Sequence, residues 1–471
     1  MSSQSALAYT VKDDTICALA TPSGAGAIAV IRVSGPHTYE IMDKIFRPAG
    51  KKPLSEAPTH TLRYGNILKE DGEVLDEVLV SLFRKPNSYT GEDAVEISCH
   101  GSVYIQQKLL ELLMEKGARL AQPGEFTMRA FSNGKMDLSQ AEAVNDLISA
   151  HSKTSHELAL NQMRGGYSSR IKDLREKLLN FASLIELELD FSEEDVEFAN
   201  RDELMDLLTK LKKEINELVQ SFSVGNVIKQ GIPVTIIGET NVGKSTLLNA
   251  LLNEEKAIVS EVPGTTRDVV EDSIIIDGMT FRFIDTAGLR ETTDKVETIG
   301  IERTYEKINQ ARVILYMFDI STTSCEEVQE RLKDFQDHIN DQNKKFIVIG
   351  NKTDQLVETP RSFEKMVELD CVFVSAKRKE NIKLVVDHLM KAVDTGKLED
   401  STVVSNARHY NELTKALEAV ESIEKGFEQG IPSDLISIDI RTALHHLGEI
   451  TGQVTTDEIL GNIFANFCIG K

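Results

Sequence analysis

Three short stretches bring together residue types that could bind phosphate and read a purine. GETNVGKS, Gly238 to Ser245, fits the pattern G-x4-G-K-[S/T]. Glycines there let backbone N–H groups wrap phosphate oxygens, and a following helix turns its positive end toward them. Lys244 would reach the β- and γ-phosphates, with Ser245 coordinating Mg2+ and Thr246 beside it. NKTD, Asn351, Lys352, Thr353 and Asp354, ends the apolar run KFIVIG. Its aspartate can accept two N–H bonds from N1 and N2 of guanine. Adenine lacks that donor pair and would leave a buried carboxylate unpaired, which predicts selection of GTP over ATP. SAK, Ser375, Ala376 and Lys377, would contact the guanine O6.

Two further motifs lie between the first pair. DTAG, Asp285, Thr286, Ala287 and Gly288, ends the alternating run TFRFID, which places a carboxylate near the metal and a Gly288 N–H where a γ-phosphate is sensed. GTTRD, 264–268, offers Thr266 as a second Mg2+ ligand. Order and spacing match a Ras-like GTPase. The water-orienting glutamine that Ras-type switches place directly after DTAG is here Leu289, whose apolar side chain cannot position water. Glu297, in LRETTDKVETIG, is the candidate for that role.

These loops need a parallel α/β scaffold, and 231–394 supplies one by alternating apolar strands with amphipathic helices. Helical periodicity flanks it on both sides, over 134–230 and 395–471, with a break expected at Gly165-Gly166. The chain thus reads as a helical domain interrupted by an inserted α/β domain. Residues 1–133 form a separate α+β domain, with strands expected at 27–35, 77–83 and 94–101 and a helix at 102–117.

Composition narrows the classes. With 471 residues, several domains are expected, and 41% hydrophobic content supports real cores. No run of eighteen apolar residues is present, the start lacks the pattern of a signal peptide, and the five scattered cysteines show no ligand spacing. These features predict a cytoplasmic protein with reduced thiols. The net charge of −22 argues against an overall basic nucleic-acid-binding surface. His445-His446 reads as a helical pair with one member exposed and no carboxylate or cysteine at ligand spacing. Cys99 and His100, adjacent on a strand, point to opposite faces and form no dyad.

GTTRD, the leucine after DTAG and the inserted GTPase domain resemble the TrmE–Era–EngA group. Within that group, TPSGAGAIAVIRVSG, PNSYTGEDAVEISCHG, QPGEFTMRAFSNGKMDLSQAEAV and the terminal FCIGK resemble the MnmE (TrmE) family of tRNA wobble-uridine modification GTPases over essentially the whole chain. The resemblance implies addition of a carboxymethylaminomethyl or aminomethyl group to C5 of wobble uridine in certain tRNAs. It also implies an FAD-containing partner, MnmG (GidA), in a heterotetramer or larger complex. The one-carbon source would be 5-formyl- or 5,10-methylene-tetrahydrofolate, bound by an N-terminal domain that forms a homodimer. Arg32, Glu96, Lys135 and Lys471 match the family's folate positions, with Arg32 and Lys135 suited to glutamyl carboxylates and Glu96 to pterin N–H groups. Cys468 would stand near the folate, held by Phe467 and Ile469 packing inward, as a nucleophile toward uridine C6 or an activated one-carbon carrier.

The resemblance also implies GTPase domains that dimerise across the nucleotide, with K+ in place of an arginine finger. Asn241 matches the K+-coordinating asparagine, next to Val242 and Gly243 in the same loop. Carbonyls of Ser260, Val262 and Thr265 would complete the cage in the stretch Ser260, Glu261, Val262, Pro263, Gly264, Thr265. Pro263, which has no N–H, stands where the family commonly has Ala. Glu297 matches the water-orienting glutamate. The rival reading is a GTPase switch for ribosome assembly, but neither a KH-type GXXG loop nor a second GTPase domain is visible. A helical arm for docking on membranes is disfavoured by acidic faces such as ELELDFSEEDVEF.

Overall fold

The structure, a computed structural model, describes residues 13–50, 52–190, 201–252, 258–259, 272–284, 307–341, 344–356, 371–392 and 403–470. By internal contact the chain falls into two units. One comprises Met1–Ile148, Leu160–Leu211 and Lys415–Lys471; the other comprises Ser149–Ala159 and Lys212–Thr414.

The first unit contains a seven-stranded mixed sheet, built from β1 (Ile16–Leu19), β2 (Ile28–Ser34), β3 (Phe46–Pro48), β4 (Thr61–Leu68), β5 (Val74–Phe83), β6 (Ala94–His100) and β7 (Arg119–Leu120), in the order β3-β4-β5-β6-β2-β1-β7. Strand β5 alternates inward Val78, Val80 and Leu82 with outward Glu77 and Leu79, the period of a sheet buried on one face. Helices α1 (Thr38–Ile45) and α2 (Val103–Glu115) contribute Ile41, Met42, Leu109 and Leu113 to the core beneath it. Strands β2 and β6 run antiparallel with Arg32 opposite Glu96, so the sheet register alone brings that pair together. Cys99 is buried against the Ala29 carbonyl, while the exposed His100 ring pairs with Asp76 at 2.7 Å, so the two side chains do point apart.

Helices follow: α3 (Glu125–Ser132), α4 (Leu138–Ser149), α5 (Lys153–Met163), α6 (Gly166–Asp190) and α7 (Arg201–Gln230). Asp137 caps α4 by accepting from Gln140 N at 3.0 Å, and the Gln140 side chain returns a bond to Asp137 N at 2.9 Å. Gly165, at φ +95°, marks the break before α6. A second break, at 150–152, was not anticipated. Ser152 and Ser155 exchange side-chain-to-backbone bonds at 3.2 Å, a reciprocal cap that starts α5 afresh.

In the second unit, β8 (Ile232–Gly238), β9 (Ile258–Val259), β10 (Asp272–Ile276), β11 (Met279–Phe283), β12 (Val313–Asp319), β13 (Lys345–Asn351) and β14 (Cys371–Phe373) form a sheet in the order β14-β13-β12-β8-β11-β10-β9. The five strands from β14 to β11 are parallel; β10 and β9 turn antiparallel. Every residue of β12, VILYMFD, is buried, as expected of a central strand covered on both faces. Helices α8 (Lys244–Leu252), α9 (Cys325–Leu332) and α10 (Ile382–Lys391) belong to this layer. The polypeptide enters the sheet directly from α7 through Gly231 at φ +84°. It returns across the same helix: Val404 N donates to Ser221 Oγ at 3.0 Å, and a Cβ at Gly225 would strike the Val404 carbonyl. Thus the α/β domain is an insertion whose two ends meet on α7. Helices α11 (Ala407–Glu428), α12 (Ser433–Thr451) and α13 (Asp457–Phe464) complete the chain.

Candidate nucleotide and tail-pocket sites

The phosphate-binding loop links β8 to α8, which begins at Lys244. Asn241 at φ +62° and Gly243 at φ +100° turn the loop through the left-handed region. Only glycine fits at 243, because a Cβ there would collide with the Asn351 amide nitrogen. Lys244 Nζ donates to the carbonyls of Gly238 and Glu239, each at 2.7 Å, so its ammonium spans the mouth of the loop. Burial first, and then the neighbouring Lys307 charge, hold its pKa below that of an ordinary lysine. Ser245 and Thr246 lie in the first turn of α8.

Asn351, at the end of β13 and 3% exposed, ties three loops together. Its amide donates to the Val242 carbonyl at 2.7 Å and accepts from Ala376 N at 3.0 Å. NKTD and SAK are thereby fixed against the phosphate loop. Lys352, at φ +69°, reaches back to Asp319 at 2.6 Å. Burial alone would raise the Asp319 carboxyl, but hydrogen bonds from Lys352 and Ser321 hold it below the ordinary range. Thr353 N donates to the Val374 carbonyl at 3.2 Å. Asp354 accepts from the buried Ser375 hydroxyl at 2.7 Å, and this bond depresses its pKa. Lys377 is exposed beside them. Ser260, Glu261, Val262, Pro263, Gly264, Thr265, Thr266, Asp285, Thr286, Ala287, Gly288 and Glu297 lie outside the described residues.

The second site sits on the first unit's sheet. A cavity of about 240 Å3 is lined by Arg32, Phe83, Tyr89, Thr90, Ala94 and Glu96. Arg32 donates to one Glu96 oxygen from Nε at 3.0 Å and from Nη2 at 2.8 Å, and its guanidinium lies 5.1 Å from the Tyr89 ring centre and 5.5 Å from that of Phe126. Its remaining nitrogen, Nη1, donates to the Gly470 carbonyl at 3.4 Å, one residue from the end of the chain. Arg32 and Glu96 therefore come together, each as the other's partner. Lys135 does not join the lining; it donates to the Pro86 carbonyl at 3.0 Å on the adjoining loop and is otherwise exposed. Lys471 lies outside the described residues.

The terminal residues are held from both sides of Cys468. Phe467 packs with Phe464, ring centres 5.2 Å apart, among Met128, Leu138 and Leu460. Gly124 N donates to the Cys468 carbonyl at 3.3 Å. Gly470, at φ +93°, is buried so closely that a Cβ would strike the Leu19 carbonyl. Ile469 departs from expectation: it is 60% exposed, because the flanking anchors at Phe467 and Gly470 turn its side chain outward. The Cys468 thiol is exposed as well.

Sequence reasoning missed the buried charges that support this cavity. Arg129, fully buried, pairs with Asp14 at 2.6 Å, Glu92 at 3.1 Å and Glu125 at 2.9 Å. Glu92 also accepts from Ser34 at 2.7 Å, and Ser34 bonds Thr90 on the cavity wall. Burial would raise the carboxyls of Asp14 and Glu125, yet Arg119 and Arg129 hold both below the ordinary range. The aromatic wall was within the quoted PNSYTGED string, whose Tyr89 hydroxyl bonds Thr127 at 2.8 Å.

No helix among the described residues is long and apolar enough to cross a membrane. The family model for the GTP-binding protein TrmE N-terminus matches residues 15–135, and that for the MnmE helical domain matches 138–468. The tRNA modification GTPase MnmE of Christiangramia forsetii is 55% identical, covering 98% of this chain and 99% of its own. That of Flavobacterium psychrophilum is 55% identical over 97% and 99%, and that of Bacteroides fragilis 52% over 98% and 100%. With similarity running nearly end to end at 55% identity, added to the nucleotide loops and the anchored tail, the chain belongs to the MnmE (TrmE) family of tRNA modification GTPases.

Proposed function

We propose that this GTPase couples GTP hydrolysis to installing a carboxymethylaminomethyl or aminomethyl group at C5 of wobble uridine in tRNA, acting in the cytoplasm with the FAD-containing partner MnmG. The domains would be 1–133 for folate binding and dimerisation, 134–230 and 395–471 for the helical domain, and 231–394 for the GTPase. The observation that supports the nucleotide half is the Asn351 tie, which bonds the loop at Val242 to SAK at Ala376, where Ser375 in turn bonds Asp354.

Within it, Asp354 would read guanine N1 and N2, Ser375 would hold that carboxylate in place, and Lys244 would leave the loop carbonyls for the phosphates. Ser245 and Thr266 suit Mg2+, a hard cation that takes oxygen ligands. Asn241, with the carbonyls of Ser260, Val262 and Thr265, would offer oxygen donors for K+; these ions would supply positive charge against that developing on the phosphates. Glu297 would orient the attacking water.

For the folate, the cavity beside Arg32 fits on its chemistry: a flat aromatic wall at Tyr89 and Phe83, a carboxylate acceptor at Glu96 and a guanidinium. The folate, when bound, would supply the one-carbon unit. Arg32 and Lys135 would hold its carboxylates, with Lys471 joining from the tail, and Glu96 would accept its pterin N–H groups. Cys468 would present its thiol from a tail locked to the same arginine through Gly470. Outward apolar side chains on the sheet, Leu62, Tyr64 and Leu79, give a homodimer a surface to bury.

Nucleotide assignment is tested by Asp354→Asn. An amide donates where a carboxylate accepts, so this variant should lose GTP and gain affinity for xanthosine triphosphate, which carries a carbonyl at C2. Unchanged preference for GTP would remove Asp354 from the purine site.

A further inference from the structure

One cluster belongs to neither site. On α12, His445 Nε2 lies 3.2 Å from Glu449 Oε1, one helical turn on, and His446 stands beside them. One ligand atom from each of the three lies within 4.8 Å of the others. The sequence reading found no carboxylate at ligand spacing; Glu449, at i+4 from one imidazole and i+3 from the other, overturns that.

The backbone beneath these donors is fixed. Ala443, Leu447 and Ile450 on the same helix are buried, and Arg175 of α6 donates to the Leu444 carbonyl at 3.4 Å. All three groups stand on this one packed helix, so their backbone positions are fixed relative to one another. Because α12 ends at Thr451, they occupy its last two turns, where terminal carbonyls favour a cation. Exposure is graded: the His445 side chain is half exposed and that of Glu449 only 18%.

We propose that His445, His446 and Glu449 bind one divalent transition-metal ion of the zinc class. Two imidazole nitrogens and one carboxylate oxygen suit Zn2+ and exclude Mg2+ and Ca2+, which take oxygen donors. At metal–ligand distances of about 2.0–2.2 Å, neighbouring donors stand about 3.0–3.5 Å apart. The observed 3.2 Å between His445 and Glu449 falls in that range, and the His446 donor lies within 4.8 Å of both. Three protein ligands leave the remaining coordination to water. The competing account is an ordinary His–Glu helix pair, which requires neither His446 nor a metal.

The test uses the full-length chain, stripped with a chelator and titrated with Co2+ followed by competing Zn2+. One equivalent of Co2+ should give the visible absorption of nitrogen and oxygen ligation and be displaced by Zn2+. His445→Asn, His446→Asn and Glu449→Gln should each weaken Co2+ by more than about 100-fold, since outer-shell partners alone contribute about 10- to 100-fold. GTP turnover with Mg2+ should remain within about twofold in all three, showing that they fold. Wild-type affinity in the variants, no binding by the wild type, or a thiolate-to-metal charge-transfer band placing the ion on a cysteine would each overturn the proposal.

Discussion

Replacing Asn351 by Ala removes both halves of the tie between the phosphate loop and SAK. The amide gives one bond to Val242 at 2.7 Å and takes one from Ala376 at 3.0 Å, in a position 3% exposed. Each bond contributes about 1 kcal/mol net, and the Ala376 N–H left without a partner adds a desolvation cost of about 1–3 kcal/mol. Part of that cost falls to water entering the space the side chain vacates. A loss of about 2–4 kcal/mol remains, which is about 30- to 800-fold at about 1.4 kcal/mol per tenfold. It should register mainly as weaker nucleotide binding, since guanine and phosphate contacts must then order the loops themselves. Titration of the full-length variant with a fluorescent GTP analogue measures it. Asn351→Asp sharpens the test: it keeps the acceptor for Ala376 but sets a carboxylate oxygen against the Val242 carbonyl, so it should bind no better than the alanine variant. GTP affinity within about threefold of wild type in the alanine variant would refute the reasoning.

Gly470→Ala forces a Cβ into the Leu19 carbonyl at positive φ, which should free the tail and take an acceptor from Arg32; tRNA modification should fall at least tenfold while GTP turnover is unchanged, and full modification activity would contradict the docking. Arg129→Met leaves Asp14, Glu92 and Glu125 with much of their charge uncompensated, at a cost of about 3–5 kcal/mol near neutral pH. The depressed carboxyls of Asp14 and Glu125 stabilise the wild type above the ordinary carboxylate range, and that stability is lost as pH falls through their folded values. The gap between wild type and variant, read as urea midpoints by tyrosine fluorescence, should therefore narrow on acidification; a pH-independent gap would contradict it. GTP turnover in KCl should exceed that in NaCl at equal ionic strength, and equal rates would sink the assignment of Asn241 to K+.

What the sequence made legible followed from local rules. The phosphate loop, NKTD and SAK announce themselves because each must end a strand, and β8, β13 and β14 are apolar runs with little else to be. The strands at Ile28–Ser34 and Ala94–His100 were readable from β-branched residues, but β4, TLRYGNIL, was not, since it mixes exposed Leu62 and Tyr64 with a glycine. The pairing of Arg32 with Glu96 depends on the register of two strands 64 residues apart, which no local pattern encodes. Arg129 was invisible for a related reason: Glu125 is one turn away on its own helix, but Asp14 and Glu92 come from distant segments, so a buried arginine looked like any charge in a helical i,i+4 pair. Ile469 shows the limit of apolarity as a guide, since the neighbours on either side dictate where its side chain points.

The central claim joins the nucleotide domain to a tRNA reaction through the anchored terminal thiol. Mass spectrometry of nucleosides from bulk tRNA tests it most directly, in cells lacking this protein and complemented with wild type or Cys468→Ser. The account predicts that C5-aminomethyl-type uridines vanish without the protein and return only with the wild type. Their restoration by the serine variant would leave the exposed Cys468 thiol without a chemical role, and uridines unchanged by the deletion would contradict the account as a whole.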